Sequence, residues 1–240
     1  MMKDALHLLG YQWKRTKLAV PFTFVFFAVY GGIAGMLMNS WRREGVELFA
    51  FLTDLLIVSF MSMPGVPFSR EYLANPYWKN DTFTKQLAAL RMLPIPVGTL
   101  ALSRSLQILL LSPLTTAVFF GAMYGVSVWA RQFPPSVFIP FVLVWFGFGN
   151  AACAWFLTKE WSVSGKRYLI FSFVTIGLAF AMCGAVWGLG GTHLVLALPK
   201  WLSAPGAGWA GAAAGIGAAV LSHVWLYRRL CAILTTRDFS

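Results

Sequence analysis

One acidic side chain stands inside a long apolar stretch of this sequence. Asp54 is the only charged residue between positions 48 and 69. A charge in a hydrocarbon environment costs about 3 kcal/mol unless it is paired or hydrated, so such an acid is a candidate for substrate or ion handling. The alternative is structural, because outer water or the nearby Arg42 and Arg43 could satisfy Asp54. The sequence leaves both interpretations open.

The histidines and serines do not form a catalytic pattern. The three histidines are scattered at positions 7, 193 and 223, and the sequence has no His-x3-His or Glu-Glu pair of the kind that intramembrane metal sites use. His193 is expected in a solvated outer loop and His223 in a packing role. The Ser164-Gly165 pair lacks a glycine two residues earlier, as a Gly-x-Ser-Gly serine would require. The sequence therefore predicts no enzyme activity, metal site or cofactor in this chain.

A nucleotide site is also missing from the sequence. A P-loop needs Gly-x4-Gly-Lys-Ser/Thr, so that backbone amides hold the phosphates and a hydroxyl holds Mg²⁺. The only Gly-Lys pair, Gly165-Lys166, is followed by Arg167 and has Glu160 at the first glycine position. Any process driven by ATP would need ATP and Mg²⁺ on another chain.

The composition is that of a membrane protein. Residues of the AVILMFWYC set make up 58% of the 240 residues, charged residues only 11%, and mean hydropathy is +0.69. Soluble domains have about 25% charged residues. This balance excludes a soluble catalytic domain and predicts an all-α polytopic membrane protein with a single transmembrane domain over residues 1–240.

Six apolar stretches are long enough to cross a hydrocarbon core of roughly 30 Å as helices. They are continuous rather than alternating, which argues against barrel strands. The predicted spans are 18–38, 48–66, 105–129, 138–157, 169–189 and 207–227.

The positions of the basic residues predict the topology. With the N-terminus inside, the cytoplasmic side receives all but four of the 19 basic residues. The exceptions are Arg42, Arg43, Arg131 and Lys200. Basic residues resist translocation, so we expect both termini in the cytoplasm and the chain in the cell membrane. Anionic lipid then accounts for the net charge of +11, without nucleic acid.

Two segments outside the spans are amphipathic. Residues 2–17 predict an interfacial helix with Leu6, Leu9 and Trp13 on its apolar face. The inner loop 67–104 is the longest connection, and its residues Phe83, Leu87 and Leu90 would share one helical face. A second short turn, 97–104, would lead into the third span. Such a loop is either a docking surface for a cytoplasmic partner or a helix that lies flat on lipid.

Small residues mark the sixth span. Gly211 and Gly215 are four residues apart, a spacing that lets two helices approach closely. The face could pack within the chain or against a second membrane chain, and packing within the chain is favoured.

Residues 85–104 read KQLAALRMLPIPVGTLALSR and follow the second span, after FSREY at 68–72. The first string resembles the Leu-Arg-x-Leu-Pro-Ile segment, with its later Ser/Ala-Lys/Arg pair, of type-two ABC transporter permeases. The second resembles the entry to the same loop in that family. Six spans, inside termini and an amphipathic start are also similar to that architecture.

The resemblance implies the membrane-spanning subunit of an ATP-binding-cassette exporter. In that family the first inner loop contains a coupling helix that seats in the cytoplasmic ATP-binding subunit. The residues that the resemblance assigns to this contact are Glu71, Tyr72, Leu87, Leu90, Arg91, Leu93 and Pro94. It also implies a second permease chain, identical or homologous, and an amphipathic cargo such as a drug, an antibiotic peptide or a lipid.

Two other functions remain open from the sequence. One is an autonomous secondary carrier or channel that depends on Asp54. The other is a membrane protein that transports nothing, for example an immunity or sensory partner whose inner loop binds a signalling protein.

Overall fold

The structure is a computed structural model that describes residues 2–15, 17–67, 88 and 94–236. Within these ranges the chain forms α-helices, one turn of 3-10 helix at Ala130–Gln132, and no strand. The helices are α1 (Met2–Arg15), α2 (Ala19–Glu44), α3 (Glu47–Met61), α4 (Val97–Val126), α5 (Pro135–Ser162), α6 (Gly165–Gly190), α7 (Leu194–Leu202) and α8 (Ala207–Thr236).

Five of the described helices are long and apolar enough to cross a membrane: α2, α4, α5, α6 and α8. They correspond to the predicted spans 18–38, 105–129, 138–157, 169–189 and 207–227, and most extend beyond those bounds. The fold is therefore all-helical, as expected for a polytopic membrane protein. Whether the predicted second span, 48–66, crosses the membrane and on which side the termini lie stay predictions.

Local sequence explains several helix ends. Gly45 closes α2 and Gly191 closes α6, each with a positive φ (67° and 61°) that residues with a side chain rarely adopt. Pro135 opens α5 at the first helical position, where its missing N–H leaves no hydrogen bond unmade.

Glycines set the closest helix crossings. In α2, a Cβ at Gly31 would overlap the backbone of Phe119 in α4, so only glycine permits this approach. The crossing of α5 and α8 is similar, because Gly147 packs against the backbone of Gly215. The α5–α8 pair forms the most extensive helix interface in the described chain.

The second predicted span is interrupted. The helix α3 has 15 residues, about 22 Å at 1.5 Å per residue, and ends at Met61. Residues 62–67 continue as turns and irregular backbone rather than as helix. Gly65 lies against Ile108 and the Met61 carbonyl against Gly149, near the midpoints of α4 and α5. The predicted span 48–66 is thus a short helix followed by a break, residues 62–67, in the middle of the bundle.

The break is buried in protein, as irregular backbone at membrane depth must be. Ser62 and Val66 are at most 8% exposed. The Thr115 hydroxyl of α4 donates a hydrogen bond to the Pro64 carbonyl at 2.6 Å, and the Ser62 hydroxyl donates to the Val58 carbonyl at 2.6 Å. Side chains therefore replace part of the missing helical hydrogen bonding.

One further expectation needs correction, and another is left untested by the packing of α1. The predicted separate turn at 97–104 is instead the beginning of α4, which runs without interruption from Val97 to Val126. In α1, the side chains buried against the bundle are Ala5 and Leu9, whereas Leu6 is 47% exposed. Ala5 and Leu9 thus face α4, on which α1 packs, and the interfacial role expected for residues 2–17, with Leu6 toward lipid, stays a prediction.

Candidate functional site

Asp54 binds the first turn of a helix distant in sequence. Its Oδ2 accepts a hydrogen bond from the Leu194 N–H at 2.8 Å, and its Oδ1 accepts one from the Val195 N–H at 2.7 Å. These amides belong to the N-terminus of α7, where N–H groups have no partner within the helix and a negative charge is favoured by the helix dipole. Asp54 is 0% exposed. The carboxylate therefore caps α7 from α3.

A histidine lies beside this cap. His193 Nδ1 is 3.7 Å from Asp54 Oδ2, and His193 Nε2 is 2.9 Å from Oε2 of the half-exposed Glu47. The imidazole stacks on the Trp187 ring, with centroids 5.9 Å apart and planes at 17°. The expectation of a solvated outer-loop histidine is wrong, since His193 is 1% exposed and packs between α3 and α6.

The geometry favours the structural interpretation of Asp54, with different partners from those expected. Arg42 lies instead against the side chain of Gln132, and the acid contacts α7 and His193. Both carboxylate oxygens already accept hydrogen bonds. Asp54 as a residue for ion or substrate handling stays a prediction that this arrangement does not favour.

A polar network joins α4, α5 and α8 near the middle of the bundle. Asn150 Nδ2 donates to the Phe146 carbonyl at 2.7 Å, so its Oδ1 faces the network and accepts from the Ser112 hydroxyl at 2.9 Å. His223 Nε2 is 3.0 Å from the same oxygen. Because a carbonyl only accepts, Nε2 carries a proton; Nδ1 is 3.2 Å from the Ser105 hydroxyl, from which it accepts a hydrogen bond when the ring is neutral.

A charged pair lies on the same helices, further toward the start of α4. Arg104 Nη2 is 3.2 Å from Glu160 Oε1, and Arg104 Nη1 donates to Gln107 Oε1 at 2.9 Å. Glu160 is 4% exposed. The sequence assigned Arg104 to the inner loop, but the side chain lies within the helical bundle and bridges α4 to α5.

The sequence did not predict the polar network around Asn150 and His223. His223 was expected in a packing role, and its two hydrogen-bond partners fit that role. Asn150 is the only asparagine within a predicted span, which was a usable signal. Ser105 and Ser112 gave no signal of their own, because single serines are common in apolar helices.

A cavity of about 270 Å³ lies beside the break, between α3, α5 and α6. Its lining is mostly apolar and includes Val58, Ser62, Phe148, Trp155, Ile176 and Phe180. The segment after α3 therefore meets α4, through Pro64 and Thr115, on one side and an apolar space on the other.

The two glycines of the sixth span pack within the chain. A Cβ at Gly215 would lie 2.6 Å from the carbonyl carbon of Leu143 in α5. A Cβ at Gly211 would lie 2.5 Å from Leu202 Cδ2 at the end of α7. These contacts agree with the favoured role of Gly211 and Gly215 in packing within the chain. A role of the two glycines in binding a second chain stays a prediction.

The expected partner contact is mostly beyond the described residues. Glu71, Tyr72, Leu87, Leu90, Arg91 and Leu93 lie outside them. Pro94 is described and exposed, three residues before α4 begins. Among the described residues, no group of three His, Cys, Asp or Glu side chains is arranged to hold a metal ion.

Comparison with models of protein families, with curated proteins and with solved structures finds no match to this chain.

Proposed function

We propose that this chain is the membrane permease subunit of an ATP-driven exporter. It would work with a second permease chain, identical or homologous, and with two cytoplasmic ATP-binding subunits. The observation that carries the proposal is the segment 85–104, which resembles the coupling segment of type-two ABC permeases and stands between the second and third predicted spans. The cargo would be an amphipathic compound moved outward.

The connections of the loop supply a physical route for coupling. On one side the loop continues from the break at residues 62–67, and on the other it enters α4 directly at Val97. The break lacks a continuous ladder of helical hydrogen bonds, so it can change its dihedral angles at lower cost than a helix. A force on the loop would therefore act on the break and on α4 together, beside the cavity and the polar network.

The packing of Asp54 weakens the alternative of an autonomous carrier. A carrier of this kind needs an acid that can exchange ions, whereas Asp54 is held by two amides of α7. No contact among the described residues favours the immunity or sensory alternative over the exporter.

Photocrosslinking in intact membranes tests the proposal. A benzoylphenylalanine at position 87 is expected to crosslink to a subunit whose peptides contain a Walker motif, because this position lies on the predicted apolar face. The same probe at position 92, on the opposite helical face, is the matched control and should give little product. Equal crosslinking of both positions to lipid alone would contradict the proposal.

A further inference from the structure

The helix α6 touches the rest of the bundle near its two ends. Toward its C-terminus, the Trp187 ring is 6.0 Å from that of Phe51 in α3, and Cys183 is 1% exposed. Toward its N-terminus, the Phe171 ring is 5.8 Å from that of Trp155 in α5. Between these contacts lies the cavity of about 270 Å³. The cavity is thus a gap between α6 and the surface formed by α3 and α5.

The size and lining of the cavity suit a hydrocarbon chain. An apolar cavity of about 150 Å³ accepts benzene, with its six carbon atoms. By the same measure the present cavity of about 270 Å³ accepts about ten carbon atoms in a row. It is smaller than the pockets that enclose drug-sized ligands, which begin at about 300 Å³. The Ser62 hydroxyl at its wall already donates to the Val58 carbonyl, so it does not demand a polar ligand.

A fixed cation stands at one end of the cavity. Lys159 Nζ lies 4.9 Å from the centroid of Trp155, which lines the cavity, and 5.1 Å from that of Phe171. Lys166 and Arg167 are exposed in the first turn of α6, just across the connection from α5. The neighbouring acid, Glu160, is buried and paired with Arg104. The end of the cavity near the start of α6 therefore carries a positive charge.

We propose that this cavity holds an acyl chain of an anionic membrane lipid, with the lipid headgroup at Lys159. The apolar lining accepts the tail, and the lysine, oriented by two aromatic rings, selects the charge of the head. The site does not depend on the exporter function, since a lipid can bind here whether or not the chain transports.

The test uses the full chain in phosphatidylcholine vesicles that contain a small fraction of phosphatidylglycerol with a diazirine on its acyl chain. After irradiation, mass spectrometry locates the labelled residues, and a matched phosphatidylcholine probe measures headgroup selectivity. We expect labels on the cavity segments 148–156 and 175–180. The anionic probe should label them about fivefold more than the zwitterionic one, as one basic residue near an anionic headgroup provides.

Matched variants distinguish binding of the acyl chain from binding of the headgroup. Ala179→Phe fills the cavity and should remove these labels, whereas Val174→Phe on the exposed face of α6 should leave them. Ala152→Leu fills the same space if the first variant fails to fold. Lys159→Gln should lower the fivefold preference toward one, although Lys166 and Arg167 remain nearby, and Lys200→Gln on α7 should not change it. Equal labelling of the exposed faces of α2 and α8, or equal labelling by both probes in the unmodified chain, would overturn the proposal.

Discussion

Replacement of Asp54 by alanine should release α7 from α3. The substitution removes both acceptors of the Leu194 and Val195 amides, at distances of 2.8 and 2.7 Å. These N–H groups have no partner inside α7 because they belong to its first turn. The neighbouring His193 also loses the acid 3.7 Å from its Nδ1. The buried N-terminus of α7 is then left without a hydrogen-bond acceptor.

The size of the effect follows from these two contacts. A hydrogen bond to a charged group contributes about 1.5–3 kcal/mol. Loss of both bonds is partly offset, because a buried carboxylate no longer has to be desolvated. The free energy of unfolding should therefore fall by about 3 kcal/mol, more than the 0.5–2 kcal/mol that loss of an ordinary exposed helix cap costs. For a chain of this length the midpoint of thermal unfolding should fall by about 6–12 °C.

Maleimide labelling of Cys183 reports the release of α7 directly. Cys183 is 1% exposed and belongs to the same buried cluster as Val195 of α7. Cys153 is 0% exposed, so a Cys231→Ser background leaves Cys183 as the informative thiol. If Cys183 is labelled through local opening of α7, a stability loss of about 3 kcal/mol makes the labelling rate about 100-fold faster than in the parent chain.

Glu47→Gln is the matched control, because its carboxylate faces the same histidine but is 54% exposed. Solvent screening limits its contribution to below about 1 kcal/mol, so Cys183 should stay protected in this variant. The reasoning is refuted if Asp54→Ala keeps both the unfolding midpoint and the slow labelling of the parent. In that case Asp54 would be free for ion or substrate handling.

Two more sets of substitutions test the interior of the bundle. Gly215→Ala should destabilise the protein by about 1–3 kcal/mol, because the added Cβ overlaps Leu143. Gly217→Ala meets open space in the same helix and should be neutral or stabilise the protein by up to about 1 kcal/mol. Denaturation in mild detergent measures these opposite changes in the free energy of unfolding. Asn150→Ala and His223→Ala should each destabilise the protein by about 1–3 kcal/mol, and the double variant by less than the sum, because both belong to one hydrogen-bond network. Additive losses in that double-mutant cycle would contradict the network.

Hydropathy predicted the five described helices that are long and apolar enough to cross a membrane, because a long uncharged stretch has few ways to satisfy its backbone in lipid. The break in the second span had a signal that this pattern hid. Met63-Pro64-Gly65-Val66-Pro67 contains two prolines and a glycine, which end helices, but the segment is as apolar as its neighbours. Local turn chemistry therefore outweighed the overall hydropathy.

The partners of Asp54 could not be predicted from spacing along the chain. The acid binds amides 140 and 141 residues away, and its nearest basic neighbours in sequence are not its partners. The helix α7 also lies in a stretch that the topology assigned to an outer loop. Such contacts depend on how the helices pack, and a backbone N–H leaves no mark in the sequence.

The central claim is tested most directly by the ATPase activity of the tagged chain purified from native membranes in mild detergent. The account predicts that a Walker-containing subunit elutes with it, that the eluate hydrolyses ATP, and that Leu87→Asp with Leu90→Asp removes both while Met92→Asp on the opposite face retains them. The account is contradicted if the chain elutes alone and, in liposomes without nucleotide, still transports.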